Sequence, residues 1–170
     1  KLTGLIQNGI SVMSFHTRLD KAEGGVNTVL AELLGLRDAR PFSEEGIGRM
    51  GELREMQEAD AFLSFVKKTL SCPFVEAVFS GRPCRRVAVV GGDGKDLLDD
   101  AVAAGCDTYL TGSMSYNSMT DAAEKGVTVI TAGLYYTENP VLPRLASLIK
   151  ALDGGISCRI FDCNLIKTLV

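Results

Sequence analysis

The sequence lacks any apolar run long enough to span a membrane, and it lacks a recognisable signal peptide, so neither a membrane-spanning helix nor export is expected. It also lacks a positive balance. Eighteen Lys and Arg against 21 Asp and Glu leave a net charge of −3, so no global field draws in nucleic acid. The pairs Lys67–Lys68 and Arg85–Arg86 are too short to make a basic strip and read as solvated surface. Cysteine is present but lacks pattern: the five are odd in number and scattered, and no CxxC occurs. That excludes a disulfide framework and a thiolate zinc site, and points to a reducing, cytoplasmic compartment. Cys106 and Cys158 sit in apolar runs, where Cys acts as a small hydrophobe. Internal repeats and low-complexity linkers are absent. So is a second histidine, and Ser113 or Ser115 as a nucleophile would have only His16 in the whole chain to serve as its imidazole base.

What is present is a chain of 170 residues, 46% hydrophobic with 18 glycines, enough for one buried core or two small lobes sharing one. It opens on Lys1 in mid-pattern, as a fragment of a longer chain would. Residues 1–170 read as one continuous α/β unit, with a lobe transition placed near 37–56, where Ile47 and Leu53 are the candidate strand anchors.

The apolar spacing predicts a strand over Gly9–Phe15, a polar turn over His16–Asp20 and a helix over Val26–Leu34 stopped by Gly35. A second amphipathic helix covers Glu58–Leu70, with Phe62, Phe65, Val66 and Leu70 on one face. Strands follow at Phe74–Phe79, Arg86–Val90, Thr108–Thr111, Val127–Thr131 and Ser157–Phe161. Between them, helices are expected over Lys95–Ala104, over Ser118–Glu124 and from Pro140 to about Leu152. This alternation implies a mostly parallel sheet covered by helices, with chemistry gathered at the polar turns where strands end.

Four such turns carry candidate residues. His16-Thr-Arg-Leu-Asp20 releases an imidazole and a carboxylate together, which can converge on a cation, act as an acid/base pair, or simply hydrogen-bond at the surface. Gly91-Gly-Asp-Gly94 offers amides at a helix start. Its spacing is not GxGxxG, however, and a Walker-type Lys-Ser/Thr is missing, so a tight turn needing positive φ explains the glycines more simply than phosphate binding. Thr111-Gly-Ser-Met-Ser-Tyr-Asn117 reads first as helix-cap chemistry. Glu138, just before Pro140, reads alone as a carboxylate placed against a helix dipole.

Taken in order, these segments resemble the NGG-interacting-factor-three-like family, often catalogued as GTP cyclohydrolase I type 2 homologues. The family pattern has an HTxLD turn, a Gly-Gly-Val-Asn helix start, a GGxG turn, a TGDxxYH segment and a GHxxTE segment. The counterparts here are His16–Asp20, Gly24-Gly-Val-Asn27, Gly91–Gly94, Thr111–Asn117 and Gly133-Leu-Tyr-Tyr-Thr-Glu138. The resemblance covers nearly the whole chain and implies the later part of a protein with two interlocked α/β lobes. It further implies a toroidal homohexamer holding two divalent transition metals, such as zinc, iron, nickel or manganese, between the lobes.

On that basis Asp20 and Glu138 are metal ligands, with His16 lining the site and available to ligate; an early His pair has no counterpart in this chain. Leu134 stands where the family has a ligating His, Ser113 where it has Asp, and Asn117 where it has His. Leucine offers no lone pair, so fewer than two metals per subunit are expected. The resemblance therefore implies a metal-binding oligomer with altered site chemistry, acting as a hydrolase on a nucleotide-like or phosphorylated small molecule. The alternative is a non-catalytic oligomeric binding or scaffold protein with a degraded site.

Overall fold

The computed structural model describes residues 1–166. They build one six-stranded sheet with helices on both faces. The strands are β1 (Arg37–Arg40), β2 (Arg49–Gln57), β3 (Glu76–Val78), β4 (Cys84–Asp93), β5 (Thr108–Ser113) and β6 (Thr128–Thr131). Their order across the sheet is β1-β2-β4-β5-β6-β3. The expected α/β class holds, but the sheet is mixed: β4, β5 and β6 run parallel, while β1–β2, β2–β4 and β3–β6 pair antiparallel. For β1–β2 the reason is local: only a loop separates them, and strands joined that closely return antiparallel.

The helices are α1 (Leu2–Gln7), α2 (Thr17–Lys21), α3 (Val26–Leu33), α4 (Ala59–Thr69), α5 (Leu98–Ala103), α6 (Tyr116–Glu124), α7 (Leu134–Glu138) and α8 (Leu142–Leu152). Period-two alternation divides the core between the two sheet faces. Val87 and Val89 of β4, Leu110 of β5 and Ile130 of β6 pack beneath α3 and α4. Ala88, Val90, Tyr109 and Val129 face the opposite way, toward α5 and α6. In α4, Phe62 and Val66 are fully buried and Leu70 nearly so, whereas Phe65 falls at the rim at 36% exposure. Lys67 and Lys68 occupy the last turn of α4, where they complement the helix dipole. Arg85 and Arg86 both reach Glu52 across the β2–β4 pair, at 3.3 and 3.1 Å. All five cysteines are free.

Four expectations change. Gly9–Phe15 is irregular rather than a strand: among the described residues it has no strand partner, and Ile10, Val12, Met13 and Phe15 lie exposed. A strand is defined by the ladder it joins, so apolar alternation alone does not make one. His16–Asp20 is not a plain turn but the start of α2, with His16 at its N-cap position. Ser157–Phe161 is likewise irregular. The helix expected from Pro140 begins earlier, as α7, and passes through a 3₁₀ turn at Asn139–Val141 into α8. Pro140 and Pro143 each occupy a first-turn position, where the missing N–H costs nothing.

Candidate functional site

The exits of β4 and β5 and the short helices α2 and α7 meet at one edge of the sheet. Helix α2 is stitched down by buried side chains from elsewhere. Asn27, fully buried near the start of α3, donates from Nδ2 to the Asp20 carbonyl at 3.0 Å and accepts at Oδ1 from the Gly91 amide at 2.8 Å. One carboxamide thus couples α2 to the end of β4. Arg49, 4% exposed, donates from Nη2 to the Lys21 and Ala22 carbonyls and from Nη1 to those of Gly46 and Gly48. A Cβ at Gly25 would collide with the Leu19 carbonyl, so glycine there permits α2 to lie against α3.

On the other side, α7 packs directly onto the glycines of β4 and β5. Added Cβ atoms at Gly112 and Gly91 would come 2.7 Å from Thr137 Oγ1 and 3.3 Å from the Thr137 carbonyl. The buried Thr137 hydroxyl donates back to its own helix at Gly133 and Leu134 and accepts from the Gly92 amide at 3.2 Å. Gly133, at φ 83°, starts the helix. This close packing brings Glu138 over Gly92, where an added Cβ would stand 2.5 Å from Glu138 Oε1.

The glycine-rich turn itself is internally satisfied. Beyond the Gly91 and Gly92 amides already described, Gly94 N–H donates to Thr111 Oγ1 at 3.0 Å and Lys95 N–H to Asp93 Oδ1 at 3.3 Å. Tyr109 donates its buried hydroxyl to the Gly94 carbonyl at 2.6 Å. The positive-φ reading holds for Gly92, at 78°. At Gly91 the need is instead for close approach, because a Cβ would meet Val26 at 2.5 Å.

His16, Asp20 and Glu138 come together here. All three line a cavity of about 270 Å³ whose other walls include Phe15, Leu19, Tyr135 and Val141, with Asn139 beside them. All three also line a larger cleft of about 720 Å³, where Glu44, Glu45, Asp93, Asp96 and Asp100 are added to Asp20 and Glu138. No Lys or Arg lines either space among the described residues. His16 and Glu138 are exposed and Asp20 is half-buried. Thr17 Oγ1 lies 3.3 Å from His16 Nδ1.

The electrostatics follow from this placement. Desolvation raises the Asp20 carboxyl above its ordinary range, with His16 partly opposing. Desolvation also raises Glu138, the Asp20 charge adds to the rise, and His16 opposes it. Tyr109, beneath the turn, is pushed up by burial first and then by Asp100, Asp93 and Asp96. One imidazole and two carboxylates are a donor set suited to a divalent transition metal, and a cation would relieve the repulsion between Asp20 and Glu138. Among the described residues, however, no three His, Cys, Asp or Glu side chains are gathered closely enough to hold an ion as they stand. The set fits a metal in kind, not yet in geometry.

The three altered positions separate. Leu134 is on the wall of the larger cleft, 47% exposed. Ser113 ends β5 opposite Asp93, and Asn117 lies exposed on α6; neither lines either space. Ser115 caps α6 by accepting from the Ser118 amide, as the capping reading has it. Sequence reasoning assigned no role to Asn27, Arg49 or Thr137. For Asn27 a signal existed: a lone carboxamide in an otherwise apolar helical stretch.

A family model described as Duf34/NIF3 (NGG1p interacting factor 3) matches residues 1–167. A "GTP cyclohydrolase 1 type 2 homolog" of Clostridium perfringens is 32% identical over 164 residues, covering 92% of this chain and 63% of that protein. The one of Pseudomonas aeruginosa is 38% identical over 144 residues, covering 81% and 56%. The chain thus spans less than two thirds of the length of these curated relatives. Among solved structures, the Staphylococcus aureus hypothetical protein SA1388 superposes with a TM-score of 0.87 at 21% identity, covering 98% of this chain and 71% of that one, a likeness of fold. Reduced HcgD from Methanocaldococcus jannaschii matches with a TM-score of 0.76 at 29% identity, covering 88% and 60%.

Proposed function

This chain belongs to the Duf34/NIF3 (NGG1p interacting factor 3) family, and from that premise we propose that it is a metal-binding, self-associating protein with hydrolase-type chemistry and a depleted ligand set. The observation that carries the reading is the convergence of His16, Asp20 and Glu138 on the same two spaces from distant parts of the sequence. Asp20 and Glu138 would supply carboxylate oxygens. His16 would ligate through Nε2, since Thr17 occupies Nδ1. A divalent ion held there would polarise a substrate oxygen and lower the pKa of a bound water. The chain's own residues do the rest: Asn27 and Arg49 fix α2, Gly92 and Thr137 position Glu138, and the smaller cavity sets an apolar wall beside the three.

Leu134 supports a weaker site, because an alkyl group stands on the cleft wall where the resemblance implies an imidazole. That same residue favours the second reading, a non-catalytic oligomeric scaffold. Exposed apolar side chains support self-association in both readings: Leu2 and Ile6 on α1, Ile10, Val12 and Met13 after it, and Leu148 and Leu152 on α8.

Zinc and manganese titrations followed by calorimetry, on the natural chain and an Asp20→Asn/Glu138→Gln double variant, test the metal reading. We expect one ion or fewer to bind the natural chain and the double variant to bind none. Equal binding by both, or none by either, sinks it in favour of the scaffold.

A further inference from the structure

We propose that the ligand of this site is a small organic cation bearing one apolar or aromatic group, the group seated in the 270 Å³ cavity and the charged end in the larger cleft. This rests on His16, Asp20 and Glu138 being the functional centre, since they form the wall that the two spaces share. It departs from the phosphorylated substrate that the family resemblance implies.

Three independent features point the same way. The first is shape and lining. On one side of the three residues lies an open, largely apolar hollow walled by Phe15, Leu19, Tyr135 and Val141. Its volume suits a single ring or a short aliphatic branch rather than a nucleoside. Asn139 and the Tyr135 hydroxyl, joined at 3.2 Å, place one polar contact at its wall.

The second, among the described residues, is the lack of Lys or Arg at the two spaces and of free amides at Gly91, Gly92, Gly94 and Lys95 in the glycine-rich turn. Phosphate is held by Lys, by Arg or by free backbone amides at a turn or helix start. No Lys or Arg lines the spaces among the described residues. The amides of Gly91, Gly92, Gly94 and Lys95, which would form the cradle, already donate to Asn27, Thr137, Thr111 and Asp93. To use these amides a phosphate would have to break existing hydrogen bonds, those of Gly92 and Gly94 being buried.

The third is charge. The larger cleft carries seven carboxylates. Only Asp93 is paired with a lysine, Lys95 at 3.9 Å, among the described residues. Two divalent ions would offset four of the seven negative charges and leave three, so even a fully metallated cleft stays negative. An ammonium or amidinium is complementary to that field, and a polyphosphate is repelled by it.

The experiment uses benzylamine, methylamine, benzoate and phenyl phosphate as probes, followed by amide chemical-shift changes, in chelator and again with zinc. Benzylammonium is expected to perturb residues of both spaces without metal, methylammonium to bind more weakly, and the two anions not to bind. Asp96→Asn/Asp100→Asn is expected to weaken benzylammonium about threefold to tenfold through lost charge. Tyr135→Ala is expected to weaken it while leaving methylammonium unchanged, with Tyr135→Phe retaining most of the affinity. Phenyl phosphate binding as well as benzylammonium overturns the proposal, as does methylammonium binding as tightly as benzylammonium, or no response to either variant. Zinc binding without amine binding defeats this inference alone; amine binding without zinc binding leaves it standing and removes the metal reading.

Discussion

Glu138 Oε1 lies directly over Gly92, so close that a methyl group on that glycine would stand 2.5 Å from it. Gly92 also sits at φ 78°, in the left-handed region. Gly92→Ala is therefore expected to cost about 1 kcal/mol in backbone strain alone and to push the carboxylate off the cleft wall. Metal affinity should fall well beyond the change in stability. An unchanged affinity, read by calorimetry beside a thermal melt, would show that Glu138 reaches its position by another route.

Asn27→Ala removes both hydrogen bonds that join α2 to β4 and leaves the Gly91 amide and Asp20 carbonyl without these partners. The expected loss is about 2–4 kcal/mol of unfolding free energy. Asn27→Asp keeps an acceptor for Gly91 but loses the donor to Asp20. Hydrogen exchange at the Gly91 amide should therefore stay slow in the Asp variant and quicken in the Ala variant.

Much of this was legible in the sequence, and the boundary between what was and was not has physical causes. Helices α3 and α4 follow from apolar residues three and four apart, and Gly35, at φ 67°, ends α3 where expected. The central strands follow from β-branched runs between glycines. Gly9–Phe15 misled because its composition describes a strand, while pairing depends on a neighbour that composition does not report. Asp20, Glu138 and His16 were singled out from motif order, and they meet in one cleft although short helices, not strand ends, carry them there. Ser113 and Asn117 were grouped with Leu134 because all three depart from motif positions, yet Ser113, at the end of β5, and Asn117, on α6, line neither space. Arg49 was invisible because a buried guanidinium satisfied by carbonyls leaves no acidic partner to find.

Asp20 and Glu138 both titrate above their ordinary values of 3.8 and 4.5, burial being the larger cause for each. A carboxyl raised by folding favours the native state while protonated; that contribution is complete below the ordinary value and is lost as pH rises through the raised one. At neutral pH, without metal, both charges therefore oppose folding. Asp20→Asn and Glu138→Gln should each raise Tm at pH 7 in chelator, and the gain should vanish as pH falls below about 4. Zinc should reverse the ranking by stabilising the natural chain alone. Variants less stable than the natural chain in chelator at pH 7 would contradict the repulsion.

Leu134→His places an imidazole on the wall of the larger cleft. Occupancy after dialysis should rise most for zinc, iron and nickel and little for magnesium. Elemental analysis of the natural chain and the variant, treated identically, decides it. Two stoichiometric metals in the natural chain would show that the site tolerates leucine.

Phe62 is fully buried under the sheet, facing Val66 one turn on. Phe62→Ala should cost about 3–5 kcal/mol. Denaturant melts should show the loss in midpoint with little change in slope.

The two sides of the cleft differ in how they are anchored, and this sets how much each can yield. Glu138 rides on a helix whose backbone rests on the glycines of two central strands, with the buried Thr137 hydroxyl joining them. His16 heads a five-residue helix that follows an extended stretch of exposed side chains, and its footing is the hydrogen bonds supplied by Asn27 and Arg49. The hydrogen bonds under α2 thus set how firmly His16 is held against the cleft, whereas Glu138 is held by the sheet itself. Exchange protection should accordingly be graded across the cleft, highest at Gly92 and Thr137 and lowest at Thr17 and Arg18.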